Sequence, residues 1–278
     1  MAASLRRLNS LARPWPLQVL PDRLSMSLFA RRYRSHWHSW LHLYGSASLR
    51  YAPSVRMNAL VPGDVISDSI AFTGIYELDT TRRAIELARQ GGLMIDIGAN
   101  LGYFSLLWAS ANASNHVIAF EASPRVLGML RLNVAMNPCG ERIRIIPVAA
   151  GRSSGRLEFD PGPSEQTGWG GAATQPGAQT ITVDMVRVDE YLSAIDGEIA
   201  LLKIDVEGAD TWVLMGCEGL LRARRVREIW FEENAVRMKQ LGIGADEARR
   251  YLISCGYFVR SVGPHSGDLR EWRATLAD

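Results

Sequence analysis

The chain has 278 residues, 47% of them hydrophobic and 22% charged. This is ordinary globular composition for one large domain or two small ones, and it excludes collagen, coiled coil and wholesale disorder. Its 31 cations and 29 acids look balanced, yet residues 1–56 carry nine Arg against the single acid Asp22, net +8, and the remainder is net −6.

In chain order, the first residues (MAASLRRLNSLARPW) are Arg-rich and acid-poor. They resemble a mitochondrial transit peptide and lack the apolar core of a secretory signal, so a cytoplasmic protein is expected, with mitochondrial targeting as the minor alternative. Within RRYRSHWHSWLHLYG, the residues Tyr33, Trp37, Trp40, Leu41 and Tyr44 recur at helical spacing. That spacing predicts a helix whose aromatic stripe docks on the main domain, with Gly45 as its stop and peripheral membrane contact as the second reading. His36, His38 and His42 crowd this helix, but with no Cys or acid nearby a metal site is not expected. The predicted organisation is a basic, aromatic-rich arm over 1–62 and a catalytic domain over 63–278.

From residue 63 the pattern changes. Val65–Phe72 reads as a short strand and Thr80–Gln90 as a helix capped by Asp79 and stopped at Gly91-Gly92. Strands LMIDI, HVIAF and RIRIIPV then alternate with helices LGYFSLLWASA and SPRVLGMLRLNVAMN, a β-α-β rhythm that makes a parallel sheet. Residues 151–180, rich in Gly, Pro, Ser and Thr, read as a long, lid-like loop. The sheet is expected to resume with TITVDMVRV, then IALLKI and EIWFE, and to end in a hairpin of YFVRSV and LREWRA. Asp184 and Asp189 read as structural, Asp189 capping the helix after it. Trp108 and Trp212 read as core, and Trp169, between glycines, as either a loop tip or a lid residue. The apolar run 97–120 lacks charge, but Gly98, Asn100, Asn112, Ser114, Asn115 and His116 interrupt it, so no membrane span is expected. Cys139, Cys217 and Cys255 are widely spaced, which argues against a disulfide framework or a zinc site.

Parallel sheets bind ligands at the carboxyl ends of their strands. The first strand delivers D-I-G-A-N-L-G (Asp96–Gly102), whose glycines let backbone approach a ligand. Asn100 and Tyr103 stand where a dinucleotide fingerprint needs its second and third glycines, so a pyrophosphate is poorly served. The second strand ends at Glu121, 19 residues after Gly102, where a carboxylate can accept both ribose hydroxyls. A ribose site without a pyrophosphate loop points to S-adenosylmethionine. Lys203, in an otherwise apolar strand, needs a partner in Asp205 or Glu207, because a buried ammonium loses its hydration.

The ordered set MIDIGANLGYFSLL, VIAFEASP, LRLNVAMN, PVAAG and LLKIDVEGADTWVLMG resembles the FkbM family of S-adenosylmethionine-dependent methyltransferases over about residues 70–235. The resemblance implies an α/β class I methyltransferase fold: a Rossmann-like seven-stranded sheet, mostly parallel with its last strand antiparallel, here preceded by a helical arm. It implies cofactor contacts from Asp96, Gly98, Asn100 and Gly102 at the methionine end, Glu121 at the ribose and Ala149 at the adenine, with Gly74, Tyr76 and Glu77 covering the cofactor. Asp205, Lys203 and Glu207 would carry the chemistry, with Asp205 also facing the transferred methyl. Ala122 departs from the family's usual Pro, and the first 60 residues match nothing in it. The implied activity is O-methylation of a small molecule such as a sugar, polyketide or glycolipid, with no nucleic-acid partner. The competing reading is a non-catalytic nucleoside-binding module recruited through its basic arm. Asp205 with Glu233-Asn234 is the weaker candidate for a magnesium site.

Overall fold

In the computed structural model, residues 13–175 and 179–276 are described, so most of the transit-like segment lies outside the described residues. Helices α1 (Trp15–Val19) and α2 (Asp22–Leu28) lead through a π turn (Phe29–Tyr33) into a 3-10 stretch, Arg34–Gly45. A small hairpin of β1 (Ala47–Ser48) and β2 (Arg56–Met57) ends the arm. There follow α3 (Val65–Thr73), α4 (Leu78–Ala88), β3 (Leu93–Ile97), α5 (Tyr103–Ala111), β4 (His116–Phe120), α6 (Pro124–Ala135) and β5 (Ile143–Ile146). Next come β6 (Ala149–Gly151), β7 (Gly155–Asp160), β8 (Gly171–Ala172), β9 (Ile181–Arg187), α7 (Val188–Tyr191), β10 (Ile199–Ile204), α8 (Asp210–Gly216) and α9 (Glu218–Arg222). The chain ends with β11 (Glu228–Asn234), α10 (Ala235–Gln240), α11 (Glu247–Ser254), β12 (Tyr257–Ser266) and β13 (Leu269–Leu276).

The seven-stranded sheet runs β12-β13-β11-β10-β3-β4-β5. Strands β11, β10, β3, β4 and β5 are parallel, and β13 is antiparallel to both its neighbours, as the class I arrangement requires. Strand order reverses at β3, so the crevice between the ends of β3 and β10 is the place for a ligand. Every residue of β10 is buried, the mark of a strand covered on both faces.

Four expectations are corrected. Val65–Thr73 is a helix, not a strand: Asp64 accepts the Ser67 N–H at 2.9 Å as N-cap, and Gly74 ends the helix at φ +72°. Helix α4 begins at Leu78, with Glu77 in the N-cap position and no side-chain cap, and Asp79 lies in its first turn and pairs with Arg23 at 2.9 Å. The 151–180 segment carries β7 and β8, and TITVDMVRV pairs with β7 and β6 rather than with the main sheet, forming a separate sheet β6-β9-β7-β8. Asp189 caps a remote helix, accepting the N–H groups of Gly219 (2.7 Å) and Leu220 (3.1 Å) at the start of α9.

The aromatic stripe of the arm does pack inward. Phe29, Tyr33, Trp40 and Tyr44 surround Phe72 of α3, and the Tyr44 hydroxyl donates to Asp68. The segment kinks at His36 and Trp40 rather than forming one α-helix, which leaves Leu41 54% exposed and outside the stripe. Arm residues Leu17, Leu43, Leu49 and Met57 share one core with Phe72, Leu106 and Trp108. No helix among the described residues is long and apolar enough to cross a membrane.

Two asparagines, Asn133 in the last turns of α6 and Asn137 just beyond its end, hold the arm by its backbone. Asn137 pairs with both polar groups of Arg56, accepting its N–H at 2.9 Å and donating to its carbonyl at 2.7 Å. Asn133, fully buried, accepts the N–H groups of Asn58 (3.1 Å) and Ala59 (3.0 Å) and donates to the Leu101 carbonyl (3.0 Å). Truncating Asn133 leaves two part-buried N–H groups and the buried Leu101 carbonyl without this partner. Asn133→Ala is therefore expected to cost about 2–3 kcal/mol in urea unfolding; a midpoint equal to that of the unaltered protein would show that the junction carries no stability.

Candidate functional site

A cavity of about 800 Å³ opens at the carboxyl ends of β3, β4, β10 and β11, of the size that holds a cofactor together with a small substrate. Its lining includes Tyr76, Glu77, Gly98, Asn100, Glu121, Ala149, Lys203, Asp205 and Glu207. Gly74, Asp96 and Gly102 lie outside that lining. Gly74 packs against the arm, where a Cβ would meet Ser48 O at 2.7 Å, and Gly102 packs on Leu130 of α6. Asp96 is buried, and its Oδ2 accepts the Ser105 hydroxyl at 2.6 Å.

The glycine turn is tight for a reason in the neighbouring strand. Gly98 has φ +80°, and a Cβ there would fall 1.9 Å from the Asp205 carbonyl oxygen, so only glycine permits β3 and β10 to end side by side. Asn100 follows in a left-handed conformation (φ +51°), with its Oδ1 buried and unpartnered in the cavity wall. Glu121 Oε2 accepts the Asn100 N–H and Oε1 the Ser123 N–H, each at 2.8 Å. Each oxygen keeps a free lone pair for a ligand hydroxyl. Burial pushes this carboxyl up to about 7 against both N–H donors.

At the other end, Lys203 is the organising cation. Its Nζ lies 3.0 Å from Asp205 Oδ2 and 5.2 Å from the Phe104 ring centroid, and β-sheet register sets it beside Asp96. Burial works against its charge, but Asp205, Asp96 and Glu77 together outweigh burial, and its pKa is raised, so it remains an ammonium. Around it the carboxyls crowd. Burial, then repulsion from Asp205, lifts Glu77 to about 7 despite Lys203, and lifts Glu207 to about 7 despite Arg237. Asp210 rises to about 7, chiefly by burial, while accepting the Glu232 N–H at 2.9 Å. Glu232 reaches about 9, by burial and the charges of Asp205, Asp210 and Glu207.

Strand alternation places Glu232 and Asn234 in the cavity wall and turns Glu233 away, where it binds Arg249 (3.1 Å) and Trp272 Nε1 (2.9 Å). The Asp205 and Glu233-Asn234 convergence is thereby corrected, and no group of three or more His, Cys, Asp or Glu able to hold a metal occurs among the described residues.

A roof formed by residues 161–172 covers the cavity. Asp64 accepts the Thr167 N–H (2.9 Å) and hydroxyl (3.1 Å), Arg125 binds carbonyls of 161–166, and Arg237 joins the Glu207 carbonyl (2.8 Å) to that of Ala172 (3.3 Å). Trp169, 56% exposed, lines the cavity from this roof. Trp212 also reaches the lining and lies under Arg152 rather than in the core, whereas Trp108 is fully buried. Sequence reasoning missed Asp64, Asp210, Glu232 and Arg237. The D-x-x-S cap at Asp64–Ser67 was a usable signal, as was a cation three residues beyond the β11 end at Asn234.

These carboxyls set a pH dependence. Between the ordinary value of 4.5 and their raised values, they hold protons in the folded chain that the unfolded chain has lost. Stability from this source is complete below about pH 4.5 and is lost as pH rises through 7 towards 9. The melting temperature of Glu232→Gln should accordingly fall less between pH 7 and 9 than that of the unaltered protein; parallel declines in calorimetry would remove Glu232 from the coupled group.

A family model described as Methyltransferase FkbM domain matches residues 96–259, more than half of the chain. Methyltransferase sdnD of Sordaria araneosa is 28% identical over 155 residues, 45% of this chain and 60% of sdnD, so the match spans less than two thirds of that relative. Among solved structures, an FkbM methyltransferase from Methylobacillus flagellatus aligns at 14% identity and TM-score 0.48, covering 99% of this chain and 60% of that one. A precorrin-6y C5,15-methyltransferase from Geobacter metallireducens aligns at 14% identity and TM-score 0.44, covering 73% and 90%. The matched region runs from the glycine turn through Glu121 and the Lys203–Glu207 loop to β12, and the chain belongs to the FkbM methyltransferase family.

Proposed function

We propose that this protein is an S-adenosylmethionine-dependent O-methyltransferase acting on a hydroxyl of a small molecule. The observation that carries the reading is the pairing, in one cavity, of a ribose-type carboxylate seat at Glu121, after β4, with the Lys203–Asp205 ion pair at the end of β10, β3 lying between the two strands. Family membership supports the same reaction class.

The residues present suit the cofactor. Gly98 lines the cavity, Asn100 Oδ1 is a buried acceptor without a donor, Glu121 offers lone pairs to a diol, and Ala149 is small enough for a flat base to lie against. Bound there, the cofactor supplies a methyl group already activated on a sulfonium. The chain's own task is to hold the acceptor hydroxyl in line and accept its proton, since an aliphatic hydroxyl is a weak nucleophile until deprotonated. Asp205 is the base in this reading, and Lys203 orients its carboxylate by an ion pair at 3.0 Å. Glu77, Glu232 and Glu271 line both the main cavity and a smaller one of about 40 Å³ beside it, so a proton leaving Asp205 meets further carboxyls on the way to the terminal hairpin. A sugar, a polyketide or a related glycolipid fits the cavity size and its many hydrogen-bond acceptors.

Two substitutions separate binding from chemistry. Glu121→Ala should weaken S-adenosylhomocysteine binding about 100-fold in calorimetry, the equivalent of two charge-assisted hydrogen bonds. Asp205→Asn should bind it within about threefold of the unaltered protein, yet transfer label from isotope-labelled S-adenosylmethionine to a metabolite extract about 100-fold more slowly. An unaltered affinity in the first variant would remove the ribose assignment, and an unaltered rate in the second would remove Asp205 from the chemistry.

A further inference from the structure

Arg125 stands outside the cavity lining, and the reaction chemistry makes no use of it. Its guanidinium is turned into the roof. One Nη donates to the carbonyls of Pro163 (3.0 Å) and Ser164, the other to those of Pro161 (2.9 Å) and Gln166 (3.0 Å). Four carbonyls from six consecutive residues thus converge on one planar cation, a geometry that the rigid fork of arginine satisfies and the compact ammonium of lysine does not.

Where Arg125 is attached gives this clamp its meaning. It lies in the first turn of α6, four residues after Glu121, and the intervening Ser123 donates its N–H to Glu121 at 2.8 Å. The ribose-type carboxylate and the roof clamp therefore ride on one short stretch of chain. On the far side of the roof, Asp64 is 1% exposed and holds Thr167 by both its N–H and its hydroxyl. The next residue, Gly168, passes over the glycine turn, where a Cβ would lie 2.9 Å from Ile66 Cδ1 and 3.5 Å from Asn100 Nδ2. A ligand lying along Asn100 and Glu121 sits beneath backbone that is tied at both ends.

We propose that Arg125 is a positioning residue that governs entry and exit of the cofactor by holding residues 161–167 closed over the seat formed by Asn100 and Glu121. The inference rests on the reading of that seat as an S-adenosylmethionine site. Opening the roof requires the guanidinium to release its carbonyls together, so the clamp slows ligand exchange without touching the reacting atoms.

The test combines hydrogen exchange, read by mass spectrometry, with stopped-flow displacement of S-adenosylhomocysteine. In Arg125→Ala the peptide covering 161–172 should exchange at least tenfold faster, while the β3 strand Leu93–Ile97 exchanges as in the unaltered protein. S-adenosylhomocysteine should then dissociate at least tenfold faster, with faster association as well, so that Kd changes less than the dissociation rate. Arg125→Lys should resemble the alanine variant in both readouts, and it carries the test if the alanine variant does not fold. A staple with a purely structural role would loosen 161–172 and leave ligand dissociation unchanged; that result, or unchanged exchange of the roof, overturns the proposal. If the unaltered protein takes up no S-adenosylhomocysteine at all, the cofactor reading itself has failed, an outcome separate from binding that ignores Arg125.

Discussion

A lysine ammonium buried in the middle of a parallel sheet is the constraint around which the site is arranged. Lys203 is 5% exposed, and an ammonium so placed is tolerable only if anions replace its hydration. Asp205 supplies one at 3.0 Å, and the register of β10 against β3 supplies Asp96 beside it. The same register brings the Asp205 carbonyl onto Gly98, which explains why the turn after β3 has to be glycine. Ion pair, glycine turn and cavity floor are thus three consequences of how two strands end together. Burial, together with the excess of carboxyls over cations around Lys203, raises the proton affinity of Glu77, Glu207 and Glu232.

The site is held from outside by elements with little in common except their position. The arm is part of the main core rather than an appendage, with Leu17, Leu49 and Met57 buried beside Trp108. Its backbone is held by Asn133 of α6, the helix that also carries Arg125 and begins just beyond Glu121, and by Asn137 just past the end of that helix. One helix therefore touches the arm, the ribose-type carboxylate and the roof. The second sheet, β6-β9-β7-β8, supplies the rest of the enclosure: Ala149 and Phe159 line the cavity from it, and Arg237 of α10 ties its edge strand to the loop after β10.

Much of this was legible in the order of residues, and the parts that were not have physical reasons. Strands such as LMIDI and IALLKI announce themselves because a strand buried on both faces is a short unbroken apolar run, and their last residues then locate the site. Val65–Thr73 misled because Val65, Ile66, Ile70 and Phe72 suit either element, and the deciding term is the cap at Asp64, whose carboxylate also serves the distant Thr167. The strand Gly155–Asp160 hides within a Gly- and Pro-rich stretch because its partners, β9 and β8, lie far along the chain. Alternation says that only one of Glu232 and Glu233 faces the cavity but not which; Arg249 and Trp272 decide it by binding Glu233 on the opposite face. Asp189 and Arg125 were opaque for the same reason, since what each binds is backbone that only tertiary structure brings near.

In the proposed reading, the cavity at the carboxyl edge is a cofactor seat organised between Glu121 and the Lys203–Asp205 pair. A crystal structure of the protein with S-adenosylhomocysteine tests it most directly. The ribose hydroxyls are expected on Glu121, the amino-acid end along Gly98–Asn100 and the sulfur directed towards Asp205. Density for the ligand elsewhere on the molecule, or a ribose turned away from Glu121, would contradict it.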